Sequence, residues 1–130
     1  MTTKQPQLRG YRTEAETDIR RFVERWRELH GLVSGPMSDK AIEDLEEARA
    51  RFGQLSTETA KMLMGIFVQD SVAGEFQRLT TPVTGENQPL LDARENLAVA
   101  ATKRIDWLTK LQNDLDRFPE SGRITVGGPR

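Results

Sequence analysis

The chain has 130 residues, 36% of them apolar and 30% charged, a formal net charge of −1 and no cysteine. One domain fits this length, and disulfides, thiolate metal sites and cysteine nucleophiles are excluded. The 19 basic and 20 acidic residues are intermixed, so no field favours binding to a nucleic-acid backbone. The longest apolar run, residues 62–68, is far below the roughly 20 residues a bilayer span needs, so no membrane insertion is expected. A cytoplasmic location is expected.

Residues 1–12 are polar and basic, with Pro6 and Gly10 and no periodicity. They predict a flexible arm and no signal peptide. Thr13 and Glu16 have capping-box spacing and predict the start of a first helix. Its buried face is Ala15, Ile19, Phe22, Val23, Trp26, Leu29 and Val33. Arg20, Glu24 and Arg27 make an ion-paired outer face. Gly31 and Ser34-Gly35-Pro36 break that pattern, and Ser38 is placed to cap a second helix. The second stripe is Ala41, Ile42, Leu45, Ala48, Phe52 and Leu55, and Gly53 predicts its end.

A third helix is predicted over 57–79. Its second half is amphipathic through Val72, Ala73, Phe76 and Leu79. Its first half is apolar nearly all round, and Ala60, Leu63, Met64 and Phe67 need cover from this chain or from another molecule. Residues 80–88 read as the long internal loop, and Pro89 suits the first turn of a fourth helix. That helix carries the longest stripe: Leu90, Leu97, Ala101, Ile105, Leu108, Leu111, Leu115 and Phe118, stopped by Pro119. About 30 residues at about 1.5 Å each predict a length of about 45 Å, more than the other helices can flank evenly. Residues 119–130 read as a disordered tail. The expectation is therefore an all-α, four-helix bundle-like domain over 13–118 with a long C-terminal helix, between a flexible arm (1–12) and the tail.

No residue cluster predicts a catalytic, cofactor or metal site. The lone histidine, His30, lies at the edge of the first stripe, without the partners that Glu-x-x-His or His-Glu-x-x-His metal motifs require. A structural or helix-terminal role is expected for it. Asp39, Glu43, Asp44, Glu46 and Glu47 resemble the acidic helices of all-α nucleotide pyrophosphohydrolases, which imply magnesium. No second carboxylate pair at that spacing stands in the apolar setting of the later helices, so a solvated acidic face is expected.

Arg104 falls in the middle of the fourth stripe, between Ala101 and Leu108, and Arg94 stands at an earlier seam position. A charge there must be paired, snorkel, or face something other than core. One reading is a salt bridge to a neighbouring helix. The other is that Arg94 and Arg104 hold an anion or set the register of a helix pair. Trp107 lies at the stripe's margin, as a rim residue of the core or an interface anchor.

Ile124-Thr125-Val126-Gly127-Gly128 resembles the C-terminal docking peptides of encapsulin cargo proteins and departs from them at Gly128 and Pro129. Gln69-Asp70-Ser71-Val72-Ala73 with the later Arg104-Ile105 and Leu108 resembles the helical cytosolic parts of small bacterial membrane proteins, which implies no activity. Gly10-Tyr11-Arg12 before an amphipathic helix is similar to small phage proteins that sequester cyclic oligonucleotide signals, but the long fourth helix is not part of that pattern. The expected function is a non-enzymatic interaction protein that self-associates or docks a protein partner through the seam of the fourth helix. Leu63, Met64, Phe67, Trp107 and Leu111 are the candidate contact residues. The alternative is a helical protein that sequesters a nucleotide or another small anion with Arg94 and Arg104.

Overall fold

The structure is a computed structural model that describes residues 6–36, 38–79, 81 and 89–120. The fold is all-α, with α1 (Arg12–Ser34), α2 (Ala41–Ile66), α3 (Ser71–Gln77) and α4 (Leu90–Asn113), followed by a 3₁₀ turn at Leu115–Arg117. The expected loop lies outside the described residues apart from residue 81, and so do residues 121–130 of the tail with the Ile124–Gly128 motif.

The first stripe is buried as its spacing predicts, with Ala15, Ile19, Val23, Trp26, Leu29 and Val33 in the core, except that Phe22 lies half-buried on its flank. The helix opens at Arg12, slightly earlier than the expected Thr13. The Tyr11 amide donates to Glu14 Oε1 at 3.4 Å, so the reciprocal contact at this end involves Glu14 and not Glu16.

The largest departure concerns α2. Gly53 lies inside one helix of 26 residues that joins the expected second helix to the first half of the expected third. The reason is phase: Leu45, Ala48, Phe52, Leu55, Thr59, Leu63 and Ile66 continue one buried stripe through Gly53. The chain turns out of the helix at Phe67, whose backbone is extended (φ −106°, ψ 146°). After that break α3 buries Val72, Ala73 and Phe76.

α1 is the central helix. Its contacts are most extensive with α4, then with α2, while α2 holds α3 and touches α4 less. Arg94 near the start of α4 meets Gly35 just past the end of α1, and Arg12 at the start of α1 meets Leu115 and Phe118 beyond α4, so α1 and α4 are antiparallel. At 24 residues α4 is shorter than α2, about 36 Å at 1.5 Å per residue. The expected surplus of length does not exist, because Asp114 ends the α-helix and the stripe finishes in the 3₁₀ turn.

The arm also differs from its expectation. Leu8 is fully buried and forms isolated bridges with Phe67 (antiparallel) and Glu120 (parallel). Backbone bonds run from Leu8 N to Pro119 O (2.7 Å), Arg9 N to Ile66 O (2.7 Å) and Val68 N to Gln7 O (2.8 Å). Residues 6–11 thus dock on the bundle, because burying one leucine and pairing both edges of a short extended segment offsets the cost of ordering it. Pro119 and Glu120, expected in the tail, are part of the same closure.

Candidate functional site

The α4 seam faces the interior of its own chain. Leu97, Ala101, Leu108, Leu111 and Leu115 are all buried, while Leu90, Ile105 and Phe118 pack half-buried against the core. Arg104 sits on this seam at 3% exposure. Its guanidinium carbon lies 4.7 Å from the Phe52 ring centroid, 5.7 Å from Trp26 and 5.9 Å from Phe76, close enough for ring quadrupoles to stabilise the cation. Nη1 donates to Ala100 O at 2.9 Å and Nη2 to Leu79 O at 3.3 Å. Burial lowers its pKa from the usual arginine value. The enclosure is continued by Trp107 on Phe76, with ring centroids 5.5 Å apart. Trp26 meets Phe52 edge-on at 5.2 Å.

Beneath this group the Trp26 indole donates to Thr59 Oγ1 at 3.0 Å, and Thr59 donates in turn to Leu55 O at 2.6 Å. Every polar atom of that chain has a partner, which a dry setting requires. The sequence reading passed over Thr59. Its place on the α2 stripe, four residues after Leu55 and four before Leu63, was the available signal.

Arg94 is 7% exposed and donates from Nη2 to Gly35 O at 2.9 Å. It and Arg104 stand ten residues apart, about 15 Å along the helix, and each reaches a different helix end. No single cleft brings them together.

Arg9 and Arg12 reveal the pattern behind this. Arg9 Nε donates to Met64 O at 3.1 Å and Phe67 O at 2.9 Å, at the end of α2. Arg12 donates to Leu115 O at 3.0 Å and Phe118 O at 2.7 Å, beyond α4. α1, α2 and α3 have no basic residue in their own last turns. At the ends of α1, α2 and α3, arginines remote in sequence therefore supply the positive charge and donors that helix C-termini require, and at α4 Arg12 adds to the helix's own Lys110.

The candidate contact residues do not form one surface. Leu63 and Phe67 are fully buried and Leu111 is buried, Trp107 is half-buried, and Met64 is 47% exposed. The cover that Leu63 and Phe67 needed comes from this chain; Phe67, for one, is covered by Leu8 and by Phe118, whose ring is 5.4 Å away. His30 is half-buried, and Glu43, Glu46 and Glu47 are exposed. Among the described residues no group of three or more histidine, aspartate or glutamate side chains could hold a metal ion, and no helix is long and apolar enough to cross a membrane.

The described surface also holds depressions, among them a wide, shallow one of about 550 Å³ over Thr13, Glu14, Thr17 and Asp18 at the start of α1 and two more enclosed ones. One of about 170 Å³ lies between α1 and α2, lined by Arg25, Glu28, Leu29, Arg51, Gln54 and Leu55. Its arginines are ion-paired, Arg25 with Glu58 at 2.7 Å and Arg51 with Glu47 at 2.6 Å. The other, of about 260 Å³, lies beside the arm and is lined by Arg9, Met64, Phe67, Val68, Gln69 and Asp70. Compared with family models, with curated proteins and with solved structures, the chain matches none.

Proposed function

We propose that this chain is a non-enzymatic helical interaction protein that self-associates through the outward side of α4, not through its seam. The observation that carries this reading is apolar exposure on one helix: Leu91 is 62% and Val99 48% exposed. Ala98 and Ile105 are half-buried on the flank between this face and the core. Leu91, Ala98 and Ile105 recur every seven residues, the period of a helix that pairs with another. The exposed charges support a second copy as the partner. Asp92 and Glu95 stand in the first half of the helix, and Lys103 and Lys110 in the second, with Asp106 between them. An antiparallel copy related by a twofold axis brings the acidic end against the lysines.

Size-exclusion chromatography with light scattering tests this on the wild type and on a variant with Leu91→Glu and Val99→Lys. At low micromolar concentration the expected result is a dimer that becomes a monomer with unchanged helicity. A dimer indifferent to both substitutions removes α4 as the contact.

A second reading, a binder of small anions, draws on the cleft between α1 and α2, where Arg25, Arg51, Gln54 and Glu28 surround an apolar floor of Leu29 and Leu55, and an anion there competes with Glu58 and Glu47 for the two arginines. It predicts a rise in melting temperature with inorganic phosphate or nucleotides, lost in Arg51→Ala. No shift at millimolar ligand sinks this reading.

A further inference from the structure

We propose that the socket holding Leu8 accepts the arm of a second copy, so that two chains associate by exchanging residues 6–9. Three observations converge on it.

The bonds that fix the arm run to residues distant in sequence. Gln7 N donates to Gln69 Oε1 at 2.9 Å, Arg9 Nε to Met64 O and Phe67 O, and the backbone of residues 7–9 pairs with 66–68 and Pro119. A second copy's arm would make the same contacts, and because only Gly10 and Tyr11 join the arm to α1, a span of about 10 Å when extended, exchange sets the α1 starts of the two copies side by side.

The socket is also specific. It takes an extended segment by strand pairing on both sides, buries one leucine completely and places an arginine on the carbonyl end of α2. Strand pairing supplies affinity and the leucine and arginine supply selectivity, the logic of peptide recognition by strand addition. The occupant whose chemistry fits is the sequence that already fills it, Gln7-Leu8-Arg9.

Exposed apolar side chains gather here as well. Of the six large ones among the described residues, Tyr11 (45%) follows the connecting glycine, and Met64 (47%) and Val68 (41%) line the groove beside Arg9. Exchange brings two copies together at this end of the molecule, where those side chains gain cover. Swapping an identical element creates a dimer without inventing a new contact, since each socket is filled as before.

The proposal does not rest on the α4 surface. Because the chain has no cysteine, introduced thiols report without interference. Gln7 and Val68 are cross-strand neighbours joined by the Val68 N to Gln7 O bond, and facing strand positions of this kind fall within disulfide reach. One batch carries Gln7→Cys, a second Val68→Cys, and they are mixed at high micromolar concentration before mild oxidation. Circular dichroism verifies that each remains helical. Exchange yields a covalent species of twice the chain mass, joined between positions 7 and 68 as read by peptide mass spectrometry. The same product forms when the Val68→Cys copy also carries Leu91→Glu and Val99→Lys, which separates this route from pairing through α4. A mixture that gives no bond between 7 and 68, while the doubly substituted chain closes its bond within one copy, overturns the proposal and makes the arm a strap of its own molecule.

Discussion

At the middle of the bundle a guanidinium lies among the rings of Trp26, Phe52 and Phe76, contributed by α1, α2 and α3. At the end where residues 7–9 dock, cohesion comes from main-chain pairing and a single buried leucine. Both regions use an arginine on helix-terminal carbonyls, Arg104 on Leu79 and Arg9 on Met64 and Phe67. They differ in what surrounds that cation. Arg104 is sealed among aromatic faces with 3% exposure, where it cannot leave without opening the core. Arg9 is exposed, and its segment is held by contacts that any copy of the chain could supply. Similar capping chemistry thus serves a fixed joint in one place and an exchangeable one in the other.

The difference is open to direct attack. Trp26→Ala removes a fully buried indole, its edge contact with Phe52 and the donor to Thr59. It is expected to cost about 4 kcal/mol, the scale of deleting a large aromatic from a core, read as a lower urea midpoint. A loss under about 1 kcal/mol would show that the middle is not the fixed joint. Leu8→Ala is expected to cost less, about 2 kcal/mol, and to act locally. The amides of Arg9 and Val68, bonded to Ile66 O and Gln7 O, should lose hydrogen-exchange protection while those of α1 around Trp26 keep theirs. Equal loss in both places would make the two regions one cooperative unit.

These regions also differ in how far the sequence reveals them. The α1 and α4 stripes follow helical spacing, and Arg104 could be placed on a buried seam from Ala101 and Leu108 alone. Its partners could not, since Leu79 O and the three rings come from elements whose docking no local pattern encodes. The end of α2 was less legible still. Gly53 looks like a stop, yet the break falls at Phe67, two residues after Gly65. Phe67 N still bonds Leu63 O, but the next groups, Phe67 O and Val68 N, bond Arg9 and Gln7. Gly65 is a local hint of an end, but the partners that hold it lie about 60 residues away in sequence, outside any window around Phe67. Leu8, a lone leucine between Gln7 and Arg9, gave equally little warning. Gly53 itself provides a test. It is exposed, inside α2, and a methyl group there meets nothing within 4 Å, so Gly53→Ala should stabilise the chain by about 1 kcal/mol. A destabilised variant would contradict a continuous α2.

The smallest expected effect concerns the α1–α2 contact beside the aromatic middle, where Arg25 meets Glu58 at 2.7 Å. The hydrogen bond from Arg25 holds the Glu58 carboxyl below its ordinary range, against a weaker opposing effect of burial. A carboxylate whose pKa is lower folded than unfolded stabilises the fold above its unfolded pKa, and that contribution disappears as pH falls through the folded value. Both side chains are more than a third exposed, so the effect is small and screened by salt. Near neutral pH and low ionic strength Glu58→Gln should melt slightly below the wild type. The gap should close as pH drops through and below the ordinary carboxylate range, and it should also close in molar salt at neutral pH. A gap that persists in acid would assign the loss to packing of the glutamate stem between α1 and α2. The pair would then belong with the apolar contacts of the middle, not with the exchangeable polar contacts of the arm.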